Sequence, residues 1–104
     1  MGENVQCAAS GPAQICAWVS NGSPRQNSTV TVYGRLLVNN VGQAGQSMAT
    51  TWHYKTTTPT CPGLTEGTGI ASCSRSIGGA TVGYQVNVDV SIGGYGVTTW
   101  FIPQ

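Results

Sequence analysis

The sequence predicts an all-β protein in which residues 1–104 form a single domain: an antiparallel β-sandwich of about seven strands with a short N-terminal hairpin. Apolar residues alternate with polar ones in several segments, and no long window shows the helical spacing i, i+3, i+4. Glycine (15 of 104 residues) and proline interrupt these segments at regular intervals. Regular interruption of short alternating segments is typical of sandwiches and barrels.

The chain begins with the predicted hairpin. Strands over 5–8 and 15–20 flank Gly11 and Pro12, which favour a turn between them. The second of these strands ends at 21–24, where asparagine, glycine, serine and proline follow one another. These breaks define the first two strands.

Three strands are predicted in the middle of the chain. The strand over 28–38 alternates apolar and polar residues, and Gly34 inside it indicates a bulge or a close approach of backbone. A turn over 39–42 leads to a strand over 46–57, in which Met, Thr, Trp and Tyr alternate with Ala, Thr, His and Lys. The strand over 70–77 completes this part of the chain.

The last two strands form a predicted hairpin. Valine and isoleucine occupy alternate positions of 83–92, and polar residues lie between them. This alternation predicts one buried face and one solvated face. The glycine-rich segment 93–96 is expected to be the hairpin loop, and the final strand covers 97–102.

Four cysteines allow three pairings. Their spacing favours Cys7–Cys16 and Cys61–Cys73, since each pair flanks a turn-rich stretch, and each bridge would add about 3 kcal/mol at most. A zinc site is the alternative, but zinc sites use more closely spaced cysteines, and His53 is the only histidine. Disulfides indicate an oxidising compartment, so we expect an extracellular or cell-surface location instead of the cytosol.

Charge and hydropathy exclude two classes of partner. Only 7% of residues are charged and the net charge is +1, with the cations scattered singly as Arg25, Arg35, Lys55 and Arg75. Nucleic-acid binders group their cations on one face, so we expect no nucleic-acid partner. No apolar run reaches the ~18 residues of a membrane span, so we expect no membrane insertion. Because no signal segment follows Met1, we expect the chain to be a domain of a longer secreted protein.

Three local patterns resemble a known family when taken in order. Residues 28–33 lead into a strand and 41–45 form a turn. Residues 63–71 are similar to the G-x-T-[DN]-x-x-G-x-A turn-and-strand, and 80–86 are similar to the corner before a late strand of Greek-key sandwiches. Over residues 15–103 the order resembles bacterial immunoglobulin-like modules of the invasin and intimin type, with prealbumin-like modules as neighbours.

The resemblance implies a Greek-key immunoglobulin-like β-sandwich. It implies that Tyr84 has a structural role, with its hydroxyl bonding back across the corner, and that Val86 stands where an immunoglobulin places its second cysteine. The chain departs from the pattern in its two cysteine pairs and lacks the inter-sheet disulfide of antibody domains. The family implies a spacer, stalk or accessory/adhesion domain whose partners are neighbouring domains, a polysaccharide or a surface protein, with no catalytic residues.

Catalytic and metal-binding constellations are poorly supported by the sequence. His53 and Asp89 with a serine would form a triad, but no G-x-S-x-G elbow exposes a serine. Glu66 and Asp89 would form a glycosidase pair, yet with Glu3 they are the only acids. That scarcity also disfavours calcium sites, and a single histidine disfavours a copper site. We therefore expect no enzyme activity, no cofactor and no metal.

A carbohydrate-binding module of a secreted hydrolase is the alternative function. Aromatic rings stack on sugar rings, and the alternative would use Tyr95, in the predicted loop, and Trp100, in the last strand. The competing explanation is that aromatic residues are favoured in strands and fill sandwich cores. A contiguous exposed aromatic strip would favour sugar binding, and burial of the rings between the sheets would favour the non-catalytic module.

Overall fold

The structure is a computed structural model that describes residues 2–104. Within that range the chain forms strands and no helix. The nine strands are β1 (Glu3–Ser10), β2 (Ala13–Val19), β3 (Thr29–Val38), β4 (Val41–Gly42), β5 (Ser47–His53), β6 (Thr60–Leu64), β7 (Ile70–Ser76), β8 (Val86–Ile92) and β9 (Tyr95–Phe101). The predicted all-β class is confirmed.

The strands form two antiparallel sheets. In the first sheet β1, β2 and β3 are neighbours in that order, and the other edge of β3 pairs with β7 and with the two-residue β4. In the second sheet the order is β6, β5, β8, β9. The chain therefore changes sheets after β4, after β6 and after β7. The sequence prediction missed β4, which is very short, and β6, whose proline suits an edge strand.

Side chains from the inner faces of both sheets form one core. In β8 the alternation is complete: Val86, Val88, Val90 and Ile92 are buried and the residues between them are exposed. Trp52 of β5 and Phe101 of β9 are fully buried and meet edge to face, with ring centroids 5.7 Å apart. Burial of such apolar area, at about 25 cal/mol per Å², is the main favourable contribution to folding.

Gly34 faces side chains of the second sheet in the core. The pairing of β3 with β2 and with β7 runs through residue 34 without a shift, so the predicted bulge is absent. A Cβ at this position would lie 2.8 Å from Sδ of Met48 and 2.9 Å from Cδ1 of Ile92. The atoms that approach Gly34 belong to side chains of the second sheet, so the predicted close approach of backbone is wrong as well.

The disulfides have the predicted pairing. Cys7 and Cys16 are directly opposite each other in β1 and β2, with their Cα atoms 4.1 Å apart. Cys61 lies in β6 and Cys73 in β7, so this disulfide joins the two sheets. The chain thus has an inter-sheet disulfide between edge strands, which the comparison with antibody domains did not predict.

The predicted corner at Tyr84 is wrong in two respects. Strand β8 begins at Val86, not at 83, and Tyr84 lies in the preceding turn with 38% of its surface exposed. Gly83, at a φ of 80°, donates its N–H to the carbonyl of Pro103, which ties this turn to the segment after β9. Within residues 2–104 the Tyr84 hydroxyl makes no hydrogen bond across the corner.

Both ends of the described chain lie at the same end of the sandwich, the terminal end, which contains Glu3 and Gln104. The carboxylate of Glu3 accepts a hydrogen bond from the N–H of Gly22, whose carbonyl accepts one from Ile102. Gln104 donates its N–H to the carbonyl of Pro24 at 2.8 Å. The ends meet because β1 folds back along β2.

The distal end is the opposite one. It consists of the turns at 11–12, 39–40, 65–69 and 93–94. The molecule measures 40 × 22 × 20 Å.

Candidate functional site

The aromatic residues of the predicted sugar site do not form one surface. Tyr95 is the first residue of β9 instead of a loop residue, and its partly buried ring packs against the core. Trp100 points from the outer face of β9, beside Asn87 of β8. Successive side chains of a strand point to opposite faces. Tyr95 and Trp100 are an odd number of positions apart, so they lie on opposite faces of β9.

The outer face of the second sheet carries a short polar row. Nε2 of His53 lies 2.7 Å from one carboxylate oxygen of Asp89, and the hydroxyl of Thr98 donates to the other oxygen at 2.7 Å. The Thr98 hydrogen bond and then His53 hold the pKa of Asp89 below its usual 3.8. A shallow depression of about 300 Å³ lies beside this row, between Ala49, Ser91 and Gly96.

This row lacks the geometry of a catalytic triad. In a triad the nucleophilic hydroxyl bonds the imidazole, and the acid bonds the opposite ring nitrogen. Here the hydroxyl of Thr98 bonds the carboxylate of Asp89 directly, and His53 bonds the second carboxylate oxygen. Glu66 lies in the turn after β6, at the distal end, so it is not next to Asp89 on this face.

A cleft of about 320 Å³ opens at the terminal end. One wall is the segment that follows β5, from Tyr54 to Pro59, and the other is the end of β7 with the turn after it, residues 75–81. Tyr54 belongs to the aromatic cluster of the core, because its ring packs edge to face on Phe101 with centroids 6.3 Å apart. Arg75 pairs with the buried Val30 and therefore lies on the inner face of its strand.

Two polar atoms of this cleft are buried without a partner. The hydroxyl of Tyr54 and Nε of Arg75 make no hydrogen bond within the described residues. Nη1 of Arg75 does donate to the carbonyl of Thr60, at 3.4 Å. Burial raises the pKa of Tyr54, and the nearby charge of Arg75 partly opposes this rise, so the phenol stays a neutral donor at physiological pH.

Sequence reasoning did not identify Tyr54 and Arg75 as a pair. In the sequence Tyr54 is an aromatic residue of the predicted strand over 46–57, and Arg75 is one of the scattered cations. One available signal was the two-residue period of a strand. Tyr54 is in phase with the buried Met48 and Trp52, and Arg75 is in phase with the buried Ala71 and Cys73. A residue with a polar tip at an inward position near a strand end deserves consideration as part of a site.

Residues 2–104 contain no group of three or more histidine, cysteine or acidic side chains placed to hold a metal ion. The same residues include no helix that is long and apolar enough to cross a bilayer.

Comparison of the chain with protein-family models, with curated proteins and with solved structures finds no match. Functional assignment therefore depends on the geometry of this chain alone.

Proposed function

We propose that this chain is a non-catalytic immunoglobulin-like module of a longer extracellular protein, carried as an accessory domain at the side of the parent chain. Its two disulfides support the extracellular location, because such bonds persist in oxidising compartments. The division of strands between the two sheets supports the immunoglobulin-like assignment, with β3 beside β7 in one sheet and β5 beside β8 in the other.

The positions of the two chain ends are the main support for an accessory domain. A module that acts as a spacer in a stalk needs its neighbours at opposite ends. Here Glu3 and Gln104 lie at the same end, so chain that continued beyond them would leave side by side. The distal end of the 40 Å module would then project away from the parent chain and be displayed.

Extra covalent stabilisation suits such a displayed domain. It has few charges with which to form ion pairs, and within residues 2–104 the only contact between a basic and an acidic side chain is the exposed hydrogen bond between His53 and Asp89. The Cys61–Cys73 disulfide ties the two sheets at one edge. A carbohydrate-binding module based on Tyr95 and Trp100 has less support, because these rings lie on opposite faces of β9.

Small-angle X-ray scattering of a fusion protein tests this arrangement. An identical folded reporter domain is joined to each end of the chain by a short rigid linker. We expect a V-shaped particle, with both reporters at the terminal end and a maximum dimension close to that of two reporters. A linear particle with the module between the reporters would show that it acts as an in-line spacer.

A further inference from the structure

One edge of strand β1 is unpaired within residues 2–104. The strand is the first in its sheet, so it bonds β2 on one side and no strand on the other. Its residues 6–10 are all exposed, and we call the unpaired side of this segment the open edge. An edge strand presents a row of free N–H and C=O groups to which another strand can add. The open edge is therefore a surface on which a partner strand can extend the sheet.

The spacing of β1 and β2 shows which backbone groups point to the open edge. The Cα atoms of Cys7 and Cys16 are 4.1 Å apart. In antiparallel sheets, facing residues that share no hydrogen bond are about 4.5 Å apart, and facing residues that exchange two bonds are about 5.5 Å apart. Cys7 therefore does not bond β2. Because the two kinds of pair alternate, the N–H and C=O groups of Cys7 and Ala9 point away from β2.

The other edges of the described sheets have protection that the open edge lacks. Pro62 interrupts the edge strand β6, which packs along the edge of β7. The edge strand β9 is covered in part by Asn4, whose side chain donates a hydrogen bond to its backbone. The segment 6–10 has no proline and no charge, and its pairing with β2 has no bulge. Proline, charge and bulges are the usual means by which proteins prevent edge pairing.

The Cys7–Cys16 disulfide holds this exposed strand in place. The side chains of β1 are almost all exposed, so the strand gains little stability from burial. The disulfide fixes β1 on β2 in one register. A strand that is already ordered loses less conformational entropy on binding than a flexible one. The disulfide therefore prepares β1 for pairing.

We propose that the open edge pairs with the open edge of a second copy of this chain, antiparallel and about a two-fold axis at Ala8. The bulge-free segment 6–10 is centred on this residue. In this arrangement Cys7 of each copy faces Ala9 of the other, and the two pairs exchange four backbone hydrogen bonds. Such a contact is self-complementary, so the same strand supplies both of its sides.

Charge and side-chain size favour a second copy as the occupant. The net charge of the chain is +1, and a net charge near zero promotes association. Glu3 is the only charged residue of β1, and antiparallel pairing about Ala8 places the two Glu3 side chains at opposite ends of the contact. Ala8 and Ala9 are small, so no bulky side chain separates the strands at the axis.

The antiparallel pairing also sets the directions of the two modules. The terminal end of one copy points away from the terminal end of the other. Parent chains would therefore leave the pair in opposite directions, as when copies displayed on two facing surfaces meet. This consequence rests on the proposed function, whereas the pairing itself depends only on β1.

Sedimentation equilibrium of the whole chain, from micromolar to millimolar concentration, tests for the pair. The contact is smaller than a standard protein interface, so we expect a weak dimer at the higher concentrations. Nuclear magnetic resonance locates the contact. The amide signals of Cys7 and Ala9 should shift with concentration, and those of Thr60–Leu64, in the edge strand of the other sheet, should not.

Charge changes at Ala8 test the two-fold register. Ala8→Lys places like charges opposite each other across the axis and should weaken the dimer about fivefold, and Ala8→Glu should do the same. An equimolar mixture of the two variants should associate more tightly than either one alone, because opposite charges then face each other. Ser91→Lys, at an exposed position of the second sheet, is the matched control and should leave the dimer unchanged.

Ala9→Pro tests the free N–H group. Proline at this position removes no hydrogen bond within the hairpin but removes two of the four bonds of the dimer. It should abolish the dimer and leave thermal unfolding nearly unchanged.

Several results would overturn the proposal. These are a monomer at every concentration, a dimer that persists in folded Ala9→Pro, amide shifts confined to other strands, or a mixture of Ala8→Lys and Ala8→Glu that associates no more tightly than each variant alone. None of these results would bear on the scattering experiment, so the two proposals fail independently.

Discussion

Cys61 and Cys73 join the edge strands of opposite sheets, whereas Cys7 and Cys16 face each other within a single sheet. The loops that the two bonds close are similar in length, with sequence separations of 12 and 9. Chain entropy alone therefore assigns them nearly equal contributions of about 3 kcal/mol. Any measured difference between the stabilities that the two disulfides contribute therefore reflects their positions in the fold.

Replacing both Cys61 and Cys73 by alanine should lower the free energy of unfolding by about 3 kcal/mol, the chain-entropy contribution of the disulfide. The loss should appear in global unfolding, because this disulfide joins the two sheets. The corresponding change at Cys7 and Cys16 should mainly loosen β1, whose side chains are almost all exposed. Denaturant unfolding measures the first effect, and hydrogen exchange of the β1 amides measures the second. Equal global losses with unchanged β1 exchange would contradict this account.

Gly34→Ala should destabilise the protein by about 1–3 kcal/mol, because its Cβ would collide with Met48 and Ile92 in a filled core. Gly96→Ala is the matched control on the outer face of β9, where the nearest atom is a carbonyl oxygen at 3.7 Å. It should change stability by no more than about 0.5 kcal/mol. Thermal unfolding of both variants checks the difference, and equal losses would show that the sheets are not tightly packed at residue 34.

Thr50→Val should cost about 1–3 kcal/mol although valine has nearly the same shape. The fully buried hydroxyl of Thr50 donates to the carbonyl of Cys61 at 2.7 Å and accepts the indole N–H of Trp52 at 2.9 Å. Valine leaves both groups unpaired. Denaturant unfolding followed by tryptophan fluorescence gives the loss, with Thr51→Val on the opposite face as a control that should be nearly neutral. Unchanged stability in Thr50→Val would mean that these hydrogen bonds are not formed.

Thr98→Val should raise the pKa of Asp89 toward its usual value, because the Thr98 hydroxyl is the main cause of the lowered pKa. A lowered pKa stabilises the fold above pH 3.8, and this stabilisation is lost as the pH falls through the lowered value. The variant should therefore lose less stability on acidification than the wild type. The carboxyl carbon signal of Asp89 follows the titration. Thr31→Val, in the other sheet, should leave it unchanged, and an unchanged pKa in Thr98→Val would contradict the assigned cause.

The sequence was sufficient for features that depend on local pattern. Alternation predicted the buried face of β8, and spacing predicted both disulfides. The face of β9 on which Tyr95 lies depends on the length of the turn between β8 and β9. Because Gly93 and Gly94 alone form the turn, Tyr95 pairs with the inward Ile92 and also points inward.

Features that join distant segments could not be predicted in this way. Tyr54 and Arg75 line the same cleft because β5 and β7, from different sheets, end at the same side of the sandwich. Glu3 likewise lies near the segment before Gln104 because the N-terminal hairpin packs on β9. There the Thr99 hydroxyl donates a hydrogen bond to the carbonyl of Asn4. Local periodicity carries no information about such packing.

Energy transfer between dyes at the two chain ends tests the central claim most directly. The dye pair should have a Förster distance close to the 40 Å length of the molecule. A reference protein carries the first dye at exposed Asn40, at the distal end, with the second dye unchanged. We predict much higher transfer between the two chain ends than between Asn40 and the C-terminus. Equal or lower transfer between the chain ends would contradict an accessory domain attached by one end.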